Sequence, residues 1–367
     1  MRKPVIAIFS GAVLLLGMAL TWLLPDRSFS PQENRMLAQL PAFSAQSLVE
    51  GAYIPKLERY LQDQFPFREG WVNAQYHMAA LQGLREHNGV YLGRDGRFLE
   101  QLGDSDAKAL AYNQHALNQI GQKTGRPVYL MPVLSQSACV PELLPDNAPV
   151  PDQRAQLAAL MRGMSEAVRL ADPSDQLGAE DYYRTDHHWN HLGAREGYRA
   201  LRRAMGLEPR EDFTYTQVSE GFIGTLASKA GAFDAAGDAV FRIDAPGLEA
   251  ITYTVADTDT TYPSLYRPDK LAEKDQYAYY LGGNHALAVS HNPAGRGKLL
   301  LLKDSYAHVL LPYLARDYAQ VHVMDLRYYQ GDVLAYIQQQ GIDQVAAVYT
   351  LNKLVTEPCF GRLGYTG

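Results

Sequence analysis

Two short segments of the chain carry residue types from which a catalytic site could be built. Residues 186–189 read Asp-His-His-Trp, and residues 303–306 read Lys-Asp-Ser-Tyr directly after a run of leucines. A serine hydroxyl becomes a nucleophile when a neighbouring base takes its proton and a third group orients that base. The first segment supplies candidates for the base and the orienting group, and the second supplies the serine. Together they predict acyl-transfer chemistry.

The spacing within the first segment suggests which residue does what. Asp186 and His188 are two residues apart, so in an extended segment they point to one side and can act on one site. His187 then points to the other side, towards packing. The predicted order along the chain is Asp186, His188 and Ser305, with Asp304 binding local backbone amides and stiffening the turn before the serine.

Other interpretations of these residues remain open. A group of four residues could ligate zinc, namely Asp186, His187, His188 and His191, although the helical histidine pair with a glutamate base found in zinc peptidases is missing. The histidines could instead form a structural cluster under Trp189. Asp304 and Ser305 could simply cap a helix that begins at Tyr306.

The elements that must position these residues follow a strand–helix alternation. Strands are predicted at residues 127–133, 298–303, 321–325 and 344–349, and helices at residues 106–123, 153–170, 194–205 and 333–339. Residues 209–280 break the alternation with Thr/Tyr/Val runs and are predicted to be an inserted, mostly β segment. The pattern predicts an α/β fold with a mostly parallel sheet flanked by helices. Ser305 would leave the carboxyl end of a strand, where open α/β sheets gather their ligands.

The N-terminus has the pattern of an exported protein. Residues 5–24 are uncharged and about long enough to cross a bilayer, and Arg2 and Lys3 precede them. A transmembrane anchor with the remainder outside the cytoplasm is predicted, with a cleaved signal peptide and a secreted protein as the alternative. The predicted domains are an anchor or signal at 1–25, a helical and hairpin extension at 26–105 and a catalytic domain at 106–367, with the insertion at about 209–280.

Composition excludes one class of partner and leaves the cysteines open. The chain has 367 residues, 47% of them apolar, and a net charge of −6 without a basic patch, which argues against nucleic-acid binding. Its 24 tyrosines, each with an apolar ring and a polar hydroxyl, are equally compatible with sugar-binding clefts and with partly solvent-exposed surfaces. Cys139 and Cys359 could form a disulfide in an oxidising compartment or remain buried thiols.

Several motifs, in a fixed order, carry a resemblance to a known family. They are Glu33-Asn34-Arg35, Asp63-Gln64-Phe65-Pro66-Phe67-Arg68, Gly89-Val90-Tyr91-Leu92-Gly93, Asp186-His187-His188-Trp189, Leu281-Gly282-Gly283-Asn284-His285 and Lys303-Asp304-Ser305-Tyr306-Ala307-His308. Together they resemble the DHHW family, which is similar to the SGNH-hydrolase-like domains of bacterial alginate O-acetyltransferases. The resemblance spans nearly all of the chain after residue 25. It implies a circularly permuted SGNH-hydrolase-like fold.

The resemblance also implies roles for single residues. Asp186 and His188 fall on the acid and the base, and Ser305 falls on the nucleophile, with supporting residues around them: His187, Trp189, Asp304 and Tyr306. Oxyanion donors are expected from the Ser305 backbone amide and from the side chain of Asn352 or Asn284. Lys303 stands where the family usually has glycine, which predicts a changed turn and a changed charge beside the substrate.

The function implied is an extracytoplasmic O-acetyltransferase, or an acetylesterase, acting on a cell-surface polysaccharide through an acyl-serine intermediate. It needs no cofactor and no metal. A membrane-bound O-acyltransferase is the expected partner on the acetyl-donor side. The alternative from another class is a catalytically silent polysaccharide-binding or scaffold protein of a cell-envelope modification complex.

Overall fold

The chain forms two units in a computed structural model that describes residues 2–364. One unit contains the residues up to Asn88 together with Ala227–Ala235, and the other contains Gly89–Leu226 and the residues from Ala236 onward. The motif segments with Asp186 and Ser305 both lie in the second unit. This division places the hairpin after Gly89 with the sheet, whereas the sequence predicts a boundary near residue 105.

The first unit is mainly helical. Its elements are α1 Arg2–Leu23, β1 Phe29–Ser30, β2 Arg35–Met36, α2 Ala45–Val49, α3 Tyr53–Gln64, α4 Arg68–Leu81 and β3 Glu86–His87. The Asp63 carboxylate in α3 is buried and accepts two hydrogen bonds from the Arg35 guanidinium, at 2.9 and 2.6 Å. Glu33 pairs with both Arg35 and Arg68. Two of the resemblance motifs therefore form one structural ion-pair network.

Helix α1 covers the segment predicted as a membrane anchor. Within the part of the chain that the structure describes, no helix combines the length and the apolar character needed to span a bilayer. The predicted transmembrane helix is therefore not supported.

The second unit contains a large mixed sheet and the helices that cover it. Its elements are β4 Val90–Leu92, β5 Phe98–Glu100, α5 Ala107–Thr124, β6 Val128–Val133, α6 Gln136–Cys139, α7 Gln153–Arg162, β7 Val168–Leu170, α8 His191–Ala204, β8 Thr214–Phe222, α9 Thr225–Ala230 (from Ala227 in the first unit), β9 Asp238–Asp244, β10 Thr252–Val255, β11 Thr260–Tyr262, β12 Leu287–His291, β13 Lys298–Lys303, α10 Leu311–Ala315, β14 Gln320–Met324, α11 Val333–Gln340, β15 Gln344–Thr350 and α12 Leu351–Thr356.

The sheet has eight strands in the order β11-β10-β12-β14-β13-β15-β6-β7. Strands β14, β13, β15, β6 and β7 run parallel to one another. Strand β12 pairs antiparallel with β14, and β10 and β11 continue the sheet beyond it in antiparallel fashion. The four leucines of β13 are fully buried and alternate between two hydrophobic clusters on opposite faces, as expected for a strand covered on both sides. The prediction of an α/β fold is confirmed, and the sheet is mixed, with four parallel and three antiparallel pairings.

Helix α7 ends earlier than the sequence predicts. The predicted helix at 153–170 is wrong beyond Arg162, because Gly163 ends it and the amide of Gln114 donates to the carbonyls of Ala159 and Leu160 near its C-terminus. Val168–Leu170 instead pairs with β6 as an edge strand. Short apolar runs fit a helix or a strand equally well, so tertiary pairing decides the outcome.

Two further expectations differ from the structure. The segment predicted as a helix from Tyr306 is a 3₁₀ turn at Ser305–Ala307, and α10 starts only at Leu311. Strands β10 and β11 of the predicted insertion extend the main sheet through β12, a strand that the sequence analysis missed. Cys139 and Cys359 are both free thiols.

Candidate active site

The segment that carries Asp186 is a tight series of bends, and a buried carboxylate holds it in place. Asp238 accepts hydrogen bonds from the backbone amides of Arg184 and Thr185, at 2.9 and 2.8 Å, and from the Thr185 hydroxyl at 2.5 Å. The rings of His187 and His188 consequently lie side by side, with centroids 3.9 Å apart. The expectation that His187 faces away is wrong, because alternation of side chains belongs to extended strands and not to bends.

The structure brings Asp186, His188 and Ser305 into one hydrogen-bonded chain. The Ser305 Oγ lies 2.7 Å from His188 Nε2, and His188 Nδ1 lies 2.5 Å from Asp186 Oδ1. An ionised carboxylate only accepts hydrogen bonds, so Nδ1 carries the imidazole proton. The bare Nε2 is therefore free to accept the proton of the Ser305 hydroxyl, although 117 residues separate the two along the chain.

Asp186 is surrounded by groups that keep it ionised. Its Oδ2 accepts from the Thr225 backbone amide at 2.7 Å and from the Thr225 hydroxyl at 2.8 Å. Burial raises the pKa of the Asp186 carboxyl, but His187, His188 and these hydrogen bonds outweigh burial and hold the pKa well below its ordinary value. Gly224 is required beside it, since a Cβ there would collide with the Asp186 side chain.

Ser305 is placed by a turn that joins two strand ends. The Asp304 side chain accepts from the Tyr306 amide at 3.0 Å and from the Thr350 amide at 2.8 Å, which ties the end of β13 to the end of β15. The Ser305 backbone amide donates to no group within residues 2–364 and is free to bind a ligand oxygen.

The two motif segments also bind each other beyond the triad. The buried Trp189 donates from Nε1 to the Tyr306 carbonyl at 2.8 Å, and the Tyr306 hydroxyl donates to the His187 carbonyl. Gly193 and Gly197 of α8 lie against the Trp189 side chain, where added Cβ atoms would clash. Trp189 and Tyr306 thus fix the distance between the imidazoles and the serine.

Tyr277 belongs to this site and was missed by the sequence analysis. Its ring stacks on His188, with centroids 3.9 Å apart and an interplanar angle of 12°. Its hydroxyl donates to the Ser305 carbonyl at 2.9 Å. Nothing in the local sequence distinguishes Tyr277 from the tyrosines beside it; only the tertiary fold brings it onto the imidazole.

Lys303 does not place a charge beside the substrate as predicted. It is 2% exposed, and its Nζ lies 3.1 Å from Asp325 Oδ2, 2.8 Å from His308 Nε2 and 2.9 Å from Asn284 Oδ1. Since an ammonium only donates, His308 Nε2 accepts and its proton sits on Nδ1. The prediction of a changed charge beside the substrate is wrong, because the Lys303 side chain is buried in an ion pair with Asp325.

The two side-chain amides considered for the oxyanion lie in different surroundings. Asn284 is held through its oxygen by Lys303 and Arg327. Asn352 lies in the first turn of α12, and its Oδ1 is buried without a partner. Neither amide hydrogen-bonds to Ser305 or His188 among the residues that the structure describes, so the oxyanion role of each stays a prediction.

The burial of Lys303 predicts a pH dependence of stability. Burial lowers the pKa of the Lys303 ammonium from 10.5 to about 8, although Asp325 opposes the shift. Because the folded pKa lies below the unfolded one, the unfolded chain binds more protons between about pH 8 and pH 10.5, and the Lys303 contribution to the free energy of unfolding rises with pH there. By pH 9.5 this gain amounts to about 1–2 kcal/mol.

The measurement compares urea unfolding of the wild type and Lys303→Met at about pH 7.5 and about pH 9.5. The difference in unfolding free energy should move in favour of the wild type at the higher pH. The other facing groups do not titrate in this window, since Arg327 stays charged, Asp325 has a lowered pKa, and burial and Lys303 lower the pKa of His308. A difference that is constant across the two pH values would contradict the prediction.

The zinc interpretation can be compared with the same geometry. Asp186, His187 and His188 place ligand atoms within 4.8 Å of one another, and His191 is not part of this group. Both ring nitrogens of His188 are already bonded, to Asp186 and Ser305. Metal binding by His188 would therefore break one of the two hydrogen bonds of the chain.

Comparisons with known proteins agree on the family resemblance and the fold. Residues 176–324 match the sequence model of the DHHW family, described as DHHW protein, so the resemblance read from the motifs is confirmed. The structure is similar to that of a DHHW family protein from Eubacterium siraeum, at 21% identity and a TM-score of 0.66, covering 75% of this chain and 94% of that one. No protein of curated function matches the chain.

Two further solved structures are similar. Bacillus cereus PatB1 with a sulfonyl adduct has 22% identity and a TM-score of 0.63, covering 73% of this chain and 96% of that one. The O-acetyltransferase domain of Pseudomonas putida AlgJ has 19% identity and a TM-score of 0.46, covering 76% and 95%. At these identities, the similarity to the Eubacterium siraeum protein and to PatB1 establishes a shared mixed α/β fold.

Proposed function

We propose that this protein is a serine-dependent O-acetyltransferase, or an acetylesterase, that works through an acyl-serine intermediate. The observation that carries the proposal is the chain from Ser305 Oγ to His188 Nε2 to Asp186, with distances of 2.7 and 2.5 Å. These are the lengths expected between a nucleophile, its base and the group that orients the base. An SGNH-hydrolase-like arrangement accounts for the order of the three residues along the chain.

The first half-reaction follows from the hydrogen bonds. His188 Nε2 takes the Ser305 proton as Oγ attacks the carbonyl carbon of an acetyl ester, and the Ser305 amide is the donor available to the oxyanion. The imidazolium that forms is stabilised by the Asp186 carboxylate. The bond between the acetyl carbon and the leaving oxygen then breaks, and that oxygen takes the proton from His188. An acetyl group remains on Ser305.

In the second half-reaction an acceptor hydroxyl replaces the leaving alcohol. We propose a hydroxyl of a cell-surface polysaccharide as the acceptor for a transferase, and water for an esterase. The proposed location is outside the cytoplasm, and a membrane-bound O-acyltransferase is the proposed source of acetyl groups. The family resemblance supports these assignments.

Covalent labelling tests the nucleophile directly. The similar structure of PatB1 carries a sulfonyl adduct, and sulfonyl fluorides react with hydroxyls that a neighbouring base activates. We expect phenylmethylsulfonyl fluoride to modify Ser305 once per chain, as detected by mass spectrometry of peptides, and to stop hydrolysis of p-nitrophenyl acetate in parallel. The result should also separate the enzyme from a silent polysaccharide-binding protein of the same fold.

Ser264→Ala provides a matched control for this labelling. The Ser264 hydroxyl accepts a hydrogen bond from the Tyr266 backbone amide and lies outside the hydrogen-bonded chain of the site. This variant should be labelled at Ser305 at the wild-type rate. Absence of label from Ser305 in the folded wild type, or labelling spread evenly over several serines, would count against the proposal.

A further inference from the structure

A small cleft lies beside the triad and has no role in the first half-reaction. We call it the side cleft; its lining residues are Phe98, Leu99, Glu100, Ser135, Gln136, Ser137, His187, Leu226 and Tyr306. It is adjacent to the site, because Tyr306 follows the nucleophile and the His187 ring stands beside His188. The space in it that a water-sized group can occupy is about 10 Å³, about the room that a single water or hydroxyl needs. It suits one small group of a larger substrate.

His187 presents a bare nitrogen lone pair in this cleft. The Thr225 hydroxyl has one proton and donates it to Asp186 Oδ2 at 2.8 Å. Towards His187 Nδ1, 2.8 Å away, the same hydroxyl can only accept, so Nδ1 carries the ring proton. Burial and the neighbouring His188 lower the pKa of His187, which keeps the ring neutral and leaves Nε2 unprotonated. Within residues 2–364, Nε2 has no hydrogen-bond partner.

Gln136 supplies the complementary group. Its side chain is 6% exposed, and its amide nitrogen Nε2 is buried without a partner in the part of the chain that the structure describes. A buried donor without a partner costs about 1–3 kcal/mol. Since this atom has almost no exposed surface, the Gln136 side chain has to rotate into the cleft that it lines before a ligand can accept from it. Gln136 lies in the first turn of α6, just after β6 ends at the same edge of the sheet as Ser305.

One acceptor and one donor in a small space match a hydroxyl, which both donates and accepts. We propose that the side cleft binds the hydroxyl next to the one that is acetylated, so that the acceptor is a sugar with two neighbouring free hydroxyls. The bound hydroxyl donates to His187 Nε2 and accepts from Gln136 Nε2. The Glu100 carboxylate in the same cleft disfavours an anionic group there. This inference rests on the proposed acyl-serine chemistry and adds the class of acceptor.

The transfer step balances without any further reactant. The reacting hydroxyl gives its proton to His188 Nε2 while its oxygen bonds to the acetyl carbon. The bond between that carbon and Ser305 Oγ breaks, and the proton returns from His188 to Oγ. The neighbouring hydroxyl undergoes no covalent change; by holding it, His187 and Gln136 position the reacting oxygen and lower the entropy cost of the attack.

The test compares two small acceptors of similar size, with p-nitrophenyl acetate as the acetyl donor. Ethylene glycol has two neighbouring hydroxyls and 2-methoxyethanol has one. We expect the wild type to acetylate ethylene glycol about tenfold more efficiently, the ratio that about 1.4 kcal/mol of added hydrogen bonding gives. His187→Asn keeps an amide near the position of Nδ1 but has no group at Nε2, so this preference should fall to about twofold or less. His187→Gln, whose amide reaches the Nε2 position, should retain part of it.

The burst of p-nitrophenol separates this inference from the proposed function, because it reports formation of acetyl-serine before any acceptor is used. His291→Asn, a histidine on β12 outside the site, is the control and should keep both the burst and the acceptor preference. Two results would overturn the acceptor assignment and leave the acyl-serine chemistry standing. One is a normal burst without any preference for ethylene glycol; the other is a preference that persists in His187→Asn. A loss of about 10²-fold or more in the burst rate of Gln136→Leu would assign Gln136 to the oxyanion and overturn it too. Absence of any burst in the wild type would remove the acyl-serine chemistry and the inference together.

Discussion

Replacing Ser305 with alanine should lower the turnover of acetyl esters by about 10⁴- to 10⁶-fold, as loss of the nucleophile does in comparable hydrolases. The change removes only the Oγ, which makes one hydrogen bond, to His188. The backbone of the turn is held by other groups, chiefly the Asp304 carboxylate and the Tyr277 hydroxyl. The variant should therefore fold, with an unfolding free energy within about 1 kcal/mol of the wild type.

The measurement is the initial rate of p-nitrophenyl acetate hydrolysis together with the burst amplitude, with urea unfolding as the check on folding. The Ser264→Ala variant, which loses a turn hydroxyl elsewhere in the same unit, should keep full activity. A folded Ser305→Ala protein that retains a tenth of the wild-type rate would exclude Ser305 as the nucleophile.

The residues of the hydrogen-bonded chain could be predicted from the sequence because each lies in a segment with a strong local signal. Ser305 comes shortly after four leucines whose place in the strand–helix alternation favours a buried strand, and the open α/β sheet then determines which edge the serine occupies. Asp186 and His188 stand out because a carboxylate and two imidazoles are unusually concentrated there. Their meeting with Ser305 follows once the second segment is placed at the same edge.

The groups that tune the site could not be predicted in this way. Thr225 and Tyr277 come from segments 39 and 28 residues distant from their partners Asp186 and Ser305, and each is an ordinary residue in its own segment. The direction in which the His187 side chain points depends on a series of bends, and Asp238 holds these bends by accepting hydrogen bonds from backbone amides. Such bends have no periodic signature, so the extended geometry assumed from the spacing placed His187 on the wrong side.

The fold shows the same division between periodic and non-periodic segments. Strand β13 and helix α11 match the predicted bounds within one residue, since each has a clear hydrophobic pattern and α11 has the capping residue Asp332. The sequence analysis missed strands β7 and β12. Short strands are stabilised mainly by pairing in the sheet, so their hydrophobic pattern and composition do not distinguish them from other segments.

Replacing His188 with alanine should be as damaging as replacing Ser305, about 10⁴- to 10⁶-fold in turnover, because neither residue works without the other. Without His188 the Ser305 hydroxyl keeps its proton at neutral pH, because no second base is hydrogen-bonded to it among the described residues. His187 donates its Nδ1 proton to Thr225. The turnover of the double variant should be no more than about threefold below that of either single variant, because removing one member of the pair already abolishes the function of the other.

The folding check matters more for this variant than for Ser305→Ala. His188→Ala removes the ring that stacks on Tyr277 and leaves the buried Asp186 carboxylate with one partner fewer, so a loss of about 2–3 kcal/mol in unfolding free energy is expected. Activity is therefore measured at a temperature at which circular dichroism shows the variant folded, with His291→Ala as the control for loss of an imidazole from the same unit. If the losses of the two single variants multiply in the double variant, Ser305 and His188 act independently, and the hydrogen bond between them does not carry the catalysis.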